Sequence, residues 1–218
     1  MAREAFHDQL EELQKELLHM GTVVEEAIER SVRSLAEQDT ALAQAVIDGD
    51  DQADELELDI EHRCLALFAL QQPMAADLRS IGTALKIVTD LERMADHATD
   101  IAKVTLRLAG QPLIKPLIDI PRMADIARAM VREALSAYVN RDTELAYGMI
   151  ARDDEVDHLY SQLFRELFTY MLEDPRTVQQ ATYLIFVGSY LERIADHATN
   201  LGEWVIYMVT GERKELNN

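Results

Sequence analysis

The chain has 218 residues, 48% hydrophobic and 6% aromatic, with a net charge of −19. That apolar content can fill one generous core or two small ones, and the shortage of aromatic residues favours helix over strand. The charge argues against nucleic acid, against adsorption to an anionic membrane surface, and more weakly against a free anion held without a metal bridge.

Cys64 is the one cysteine, so no intramolecular disulfide can form, which fits a reducing compartment. The first residues lack the apolar stretch of a secretion signal, and no apolar run approaches membrane-spanning length. A cytoplasmic protein without direct membrane insertion is expected.

Phe6 to about Glu37 reads as one long amphipathic helix. Leu10, Leu13, Leu17, Met20, Val24, Ile28 and Leu35 recur at steps of three and four. Gln38-Asp39-Thr40 breaks it, and Asp39 or Thr40 caps the next helix. The second helix runs to about Leu70 on Leu42, Val46, Ile47, Leu58, Leu65 and Phe68, and Gln71-Gln72-Pro73 ends it. The third opens near Pro73, carries Leu78, Ile81, Leu85, Val88, Ile101 and Leu108, and stops at Gly110.

Gly110, Pro112, Pro116 and Pro121 mark the boundary between halves. The plan then repeats. Met123 to Val139 is a shorter helix, and Asn140-Arg141-Asp142-Thr143 matches the turn at Asp39-Thr40. A fifth helix runs to about Leu172, Glu173-Asp174-Pro175 matches the turn at Pro73, and a sixth ends at Gly211. Glu212 to Asn218 is expected to be a mobile polar tail.

The duplication is plainest in Leu91-Glu92-Arg93-Met94-Ala95-Asp96-His97-Ala98-Thr99. It returns as Leu191-Glu192-Arg193-Ile194-Ala195-Asp196-His197-Ala198-Thr199, with one difference. The spacing between copies is 103 residues at Asp39/Asp142 and 100 at Glu92/Glu192, so the second half is three residues shorter near Pro175. The expected fold is all-α, a tandem of two antiparallel three-helix bundles. Residues 1–110 form the first repeat and 119–211 the second.

Glu92 and Asp96 lie four apart, one above the other on a helix face, as do Glu192 and Asp196. The second helix of each half carries a matching pair: Asp50 with Asp54, and Asp153 with Asp157. Asp54 lies 19 residues before Pro73 and Glu92 lies 19 after it. Antiparallel helices therefore bring both to the same height, about 28 Å along the bundle. Four acids at one level, twice, ask for something positive: Arg93 folded over them, or a cation, which oxygen ligands suit. The bland reading is a solvated acidic face.

Arg93 and Arg193 read as ion-pair partners. His97 and His197 follow their aspartates by one residue and point about 100° away, so a hydrogen-bonded structural role is favoured over metal ligation. Trp204 with Tyr207 reads as packing and Cys64 as a buried apolar residue. Acids stand near histidine at Glu61-His62 and at Glu155 to His158; of these only Glu155 and His158 have the spacing of the Glu-x-x-His ligand pair of carboxylate-bridged metalloenzymes, and they have no counterpart in the first half. No nucleophile elbow or phosphate-cradling glycine loop is present.

These residues resemble the PhoU family of phosphate-transport and phosphate-response regulators, from about residue 6 to residue 211. The resemblance is most specific at Gln72-Pro73-Met74-Ala75-Ala76-Asp77-Leu78-Arg79, at Asp90 to His97, at Asp153-Asp154 with Asp157, and at Leu191 to Asn200. Ala95 and Ala195 stand where the family often has Gly, and Asp100 faces Asn200 across the repeat. The resemblance implies metal clusters, with iron or zinc as candidates, on Asp50, Asp54, Glu92 and Asp96 and on Asp153, Asp157, Glu192 and Asp196. It also implies a cytoplasmic dimer acting with the phosphate ABC transporter ATPase and a membrane sensor histidine kinase, as a negative regulator of phosphate-starvation genes. The rival readings are a carboxylate-bridged metalloenzyme or metal-storage bundle, and a metal-free scaffold.

Overall fold

The computed structural model of the chain describes the backbone at residues 2–71 and 73–216 and side chains at 6–70 and 73–216, so Gln72 lies outside it. Helix α1 spans Ala2–Glu37, α2 Thr40–Ile47, α3 Asp51–Gln71 and α4 Ala75–Leu108. The second repeat contains α5 (Asp119–Asn140), α6 (Thr143–Tyr147), α7 (Met149–Glu173) and α8 (Val178–Thr210), with a single 3₁₀ turn at Pro175–Thr177. No strand occurs among the described residues. The six-helix plan holds, with the second and fifth helices each broken near their starts.

The repeat extends to the caps. Asp39 and Asp142 each accept a hydrogen bond from the backbone N–H three residues on, at Leu42 and Leu145. Such a cap satisfies an orphan N–H of the first turn and contributes about 1 kcal/mol. Gln38 and Arg141, just before the caps, share the left-handed conformation, at φ 54° and 55°. The inner breaks do not match in register. The first occupies Asp48 to Asp50 and the second falls at Gly148. Asp50 therefore sits at the entrance to α3, whereas Asp153 lies inside α7.

On α1 the buried stripe is the expected one: Leu13, Leu17, Met20, Val24, Ile28 and Leu35. On α3 the expected seam is wrong. Leu58 and Leu65 are 53% and 56% exposed, and the buried face is Ala53, Ile60, Cys64 and Leu67. The spacing that runs on from Leu42, Val46 and Ile47 misses that face because the break at Asp48–Asp50 resets the helix. Met94, Met123, Met130 and Met208 are buried filler.

The two bundles share one core, which runs from Phe6 through both copies of the motif to Leu216. Its seam is the pairing of α4 with α8, supported by α1 against α5. Gly188 lets α8 lie close on α7: a Cβ there would stand 2.8 Å from Leu163 Cδ2 and 2.9 Å from Tyr160 Cδ2.

The connection between halves is pinned. The N–H of Ile114 donates to Gln180 Oε1 at 2.5 Å, and Gln180 Nε2 donates to the Pro112 carbonyl at 3.1 Å. Buried Lys115 reaches Glu166 on α7 and lies 3.7 Å from Asp119. The C-terminal segment is likewise held. The N–H of Leu216 donates to the buried Glu203 carboxylate at 2.7 Å, and Lys214 reaches the Tyr147 hydroxyl at 3.0 Å. The expectation of a mobile tail thus fails as far as Leu216. The hydrogen bond to Glu203 and the burial of Leu216 offset the entropy of ordering it.

Candidate metal centre

The antiparallel run of α3 against α4 sets Asp50 and Asp54 across from Glu92 and Asp96. Asp50 faces Asp96 and Asp54, and Glu92 faces Asp96 and Asp54. Asp50, Glu92 and Asp96 are half-buried and Asp54 is exposed. Burial, followed by the neighbouring carboxylates, drives the Glu92 carboxyl up to about 7, against the pull of Arg93. Burial also raises Asp50, which accepts a 2.9 Å hydrogen bond from Thr99 Oγ1. Arg93 spans the pair on α4, at 3.3 Å from Glu92 Oε2 and 3.2 Å from Asp96 Oδ2.

The second knot repeats the arrangement on α7 and α8. Burial, then Asp196 and Asp157, pushes Asp153 up to about 7, while the Thr199 hydroxyl pulls the other way. Burial raises Glu192 and Asp196, and each also feels Asp157. Asp157 is raised by burial and by Asp154. The two motif copies have the same residue-by-residue burial pattern from Leu91 to Asp100 and from Leu191 to Asn200.

Two differences separate the knots. Glu57 joins the first, raised by burial and by Glu61, and Tyr160 is its counterpart in the second repeat. Glu57 lies three residues after Asp54, a helical spacing legible in the sequence, but it does not recur in the second repeat. The second difference is Asp153 Oδ1, which is buried with no hydrogen-bond partner. An orphaned buried acceptor costs about 1–3 kcal/mol.

The histidines lie at the seam between repeats, each within electrostatic reach of the aspartate that precedes it, Asp96 or Asp196. Their ring centroids are 5.8 Å apart. His197 Nδ1 is 2.8 Å from Asp90 Oδ1, the hydrogen-bonded role expected for it. His97 departs from that expectation: it stacks on Tyr190 at 5.7 Å, and its Nδ1 is buried without a partner. Asp90 and Tyr190 occupy equivalent places, so one exchange between repeats accounts for the difference. The Glu-x-x-His pair does not form a site, because Glu155 is paired with Arg122 at 2.6 Å and His158 is exposed.

Chemically, the knots are oxygen-rich, electron-rich and short of positive charge, which suits a hard or borderline cation. The raised acids and the orphaned Asp153 oxygen fit one. As they stand, no three His, Cys, Asp or Glu side chains among the described residues converge on one point. The carboxylates face each other across the helix pair without meeting.

An all-helical tandem repeat with paired carboxylates on adjacent helices defines the class. The model of the PhoU domain matches residues 17–105 and again 120–205, one match per repeat. The chain belongs to the PhoU family. It is 44% identical to the phosphate-specific transport system accessory protein PhoU homolog of Clostridium acetobutylicum, over all of both chains. It is 47% identical to the homolog of the same name from Aquifex aeolicus, over 94% of this chain and 92% of that one. The crystal structure of PhoU from Pseudomonas aeruginosa superposes with a TM-score of 0.90 at 38% identity, covering 95% of this chain and all of that one. The phosphate transport system regulatory protein PhoU from Streptococcus pneumoniae gives 0.89 at 28%, covering 96% and 99%.

Proposed function

We propose that this chain is an accessory protein of a phosphate-specific transport system: a cytoplasmic adaptor that represses phosphate-starvation genes when phosphate is plentiful. The observation that carries the reading is the full-length match to proteins of that name, with both repeats matched separately. No helix of the described chain is long and apolar enough to cross a membrane. In this reading the chain reaches the membrane through the transporter ATPase and the sensor histidine kinase.

The work is done by contact, without turnover. Acidic helical surfaces steer the chain to basic patches on its partners, which raises the rate of encounter more than the final affinity. Phe164, Phe168 and Leu172 recur every fourth residue on α7 and are 46%, 51% and 70% exposed, an apolar stripe for a partner or a second copy to cover. The carboxylate knots hold divalent or trivalent cations, iron or zinc among them. Asp50, Asp54, Glu92 and Asp96 hold one, and Asp153, Asp157, Glu192 and Asp196 the other. A bound cation neutralises the facing acids and holds the helix pairs in one spacing.

Deleting the gene tests the role. Phosphate-starvation genes should then stay on in phosphate-rich medium, and restoring the wild-type chain should silence them. Normal silencing in the deletion strain, with no second copy present, would reject it.

A further inference from the structure

The acidic knots leave the opposite chemistry unexplained. Where α4 and α8 meet the C-terminal segment, a cavity of about 250 Å³ is lined by Lys86, Thr89, Asp90, Asn200, Trp204 and Arg213. Lys86 Nζ lies 5.7 Å from the Trp204 ring centre, and the Arg213 guanidinium lies 5.0 Å from it. Neither cation has a carboxylate within ion-pair distance among the described residues, in a chain where acids outnumber bases 40 to 21. The nearby Asp90 is committed to His197 at 2.8 Å. The hydrogen bond of Leu216 to Glu203 and that of Lys214 to Tyr147 hold the segment that carries Arg213.

The lining does not recur in the other repeat. Residues Lys86, Asp90 and Trp204 correspond to Phe186, Tyr190 and Val104. The two cations, the indole and the amide thus come together on one side of the seam only, where the repeats have diverged in sequence. The bulk charge opposes anions, but at physiological salt it is screened beyond about 8 Å, and a ligand inside the cavity feels mainly the groups that line it.

We propose that this cavity binds a nucleotide of mononucleotide size. Its phosphate would draw Lys86 and Arg213 off the indole, its flat base would take their place against Trp204, and base or sugar donors would reach the Asp90 oxygen that is not bonded to His197. A bare oxyanion fits less well, because the volume is several times the roughly 30 Å³ of one water and the indole would contribute nothing. Arg and Lys beside an aromatic face suit both halves of such a ligand.

Trp204 is the chain's one tryptophan, so its fluorescence reports on this cavity alone. The test is a titration of the purified full chain with AMP, with inorganic phosphate and with adenosine, followed by fluorescence and repeated by calorimetry. AMP should give a saturable change, with phosphate and adenosine each at least tenfold weaker. The double variant Lys86→Gln with Arg213→Gln should weaken AMP at least tenfold at unchanged melting temperature. Phosphate binding as well as AMP would overturn the nucleotide assignment in favour of a simple anion site. No saturable binding of AMP, or full binding by the double variant, would overturn the site.

Discussion

His197 Nδ1 and Asp90 Oδ1 lie 2.8 Å apart, joining the second copy of the repeated motif to the residue just ahead of the first. The bond crosses the seam between α8 and α4. Asp90→Ala would leave the imidazole nitrogen unsatisfied in a half-buried place, at a cost of about 1–2 kcal/mol. At about 2–4 °C per kcal/mol for a chain of this size, melting should fall by several degrees. Thermal denaturation checks this, and an unchanged midpoint would show that the bond does not hold the seam.

Lys115 gives a sharper effect. It is 6% exposed and joins the inter-repeat connection to Glu166 and Asp119. Removing one partner leaves charge buried without compensation, so Lys115→Ala should cost about 3 kcal/mol. Urea unfolding checks it, and a loss under about 1 kcal/mol would place the lysine among ordinary surface pairs.

Gly188 tests how far the repeats are equivalent, since Val88 is its counterpart. A valine at 188 would drive its Cβ into Leu163 and Tyr160. Gly188→Val should destabilise by about 1–3 kcal/mol, read as a lower melting temperature. Equal or higher stability would mean that α7 can step back from α8.

Much of this was legible in the sequence because it repeats. The helices, the Asp39 and Asp142 caps and the level match of the acids follow from spacing and recurrence. What was missed does not recur or is not local. Glu57 has Tyr160 opposite it, and the Asp48–Asp50 break resets the face of α3. The burial of Lys115 and the return of Leu216 to Glu203 depend on contacts between distant segments, which no local period records.

The pH dependence has a definite sign. The carboxyls of Glu92 and Asp153 stand at about 7 in the folded chain, above their ordinary values near 4, so the folded state binds more protons between these limits. Unfolding free energy then falls as pH rises from about 4 and levels off above about 7. Chelator-treated protein should melt lower at pH 8 than at pH 5.5. Restoring the cation should reverse much of that loss at pH 8, since bound metal takes the place of the protons. A flat profile in the stripped protein would contradict the crowding of these acids.

Metal content decides whether the two carboxylate knots hold cations. The chain should be purified without chelator or histidine tag and analysed for its elements beside the variant Glu92→Ala with Asp96→Ala. The wild type should carry metal, and the variant should lose the first site's share while keeping the second's. A wild type without metal, or a variant that keeps the full content, would contradict it.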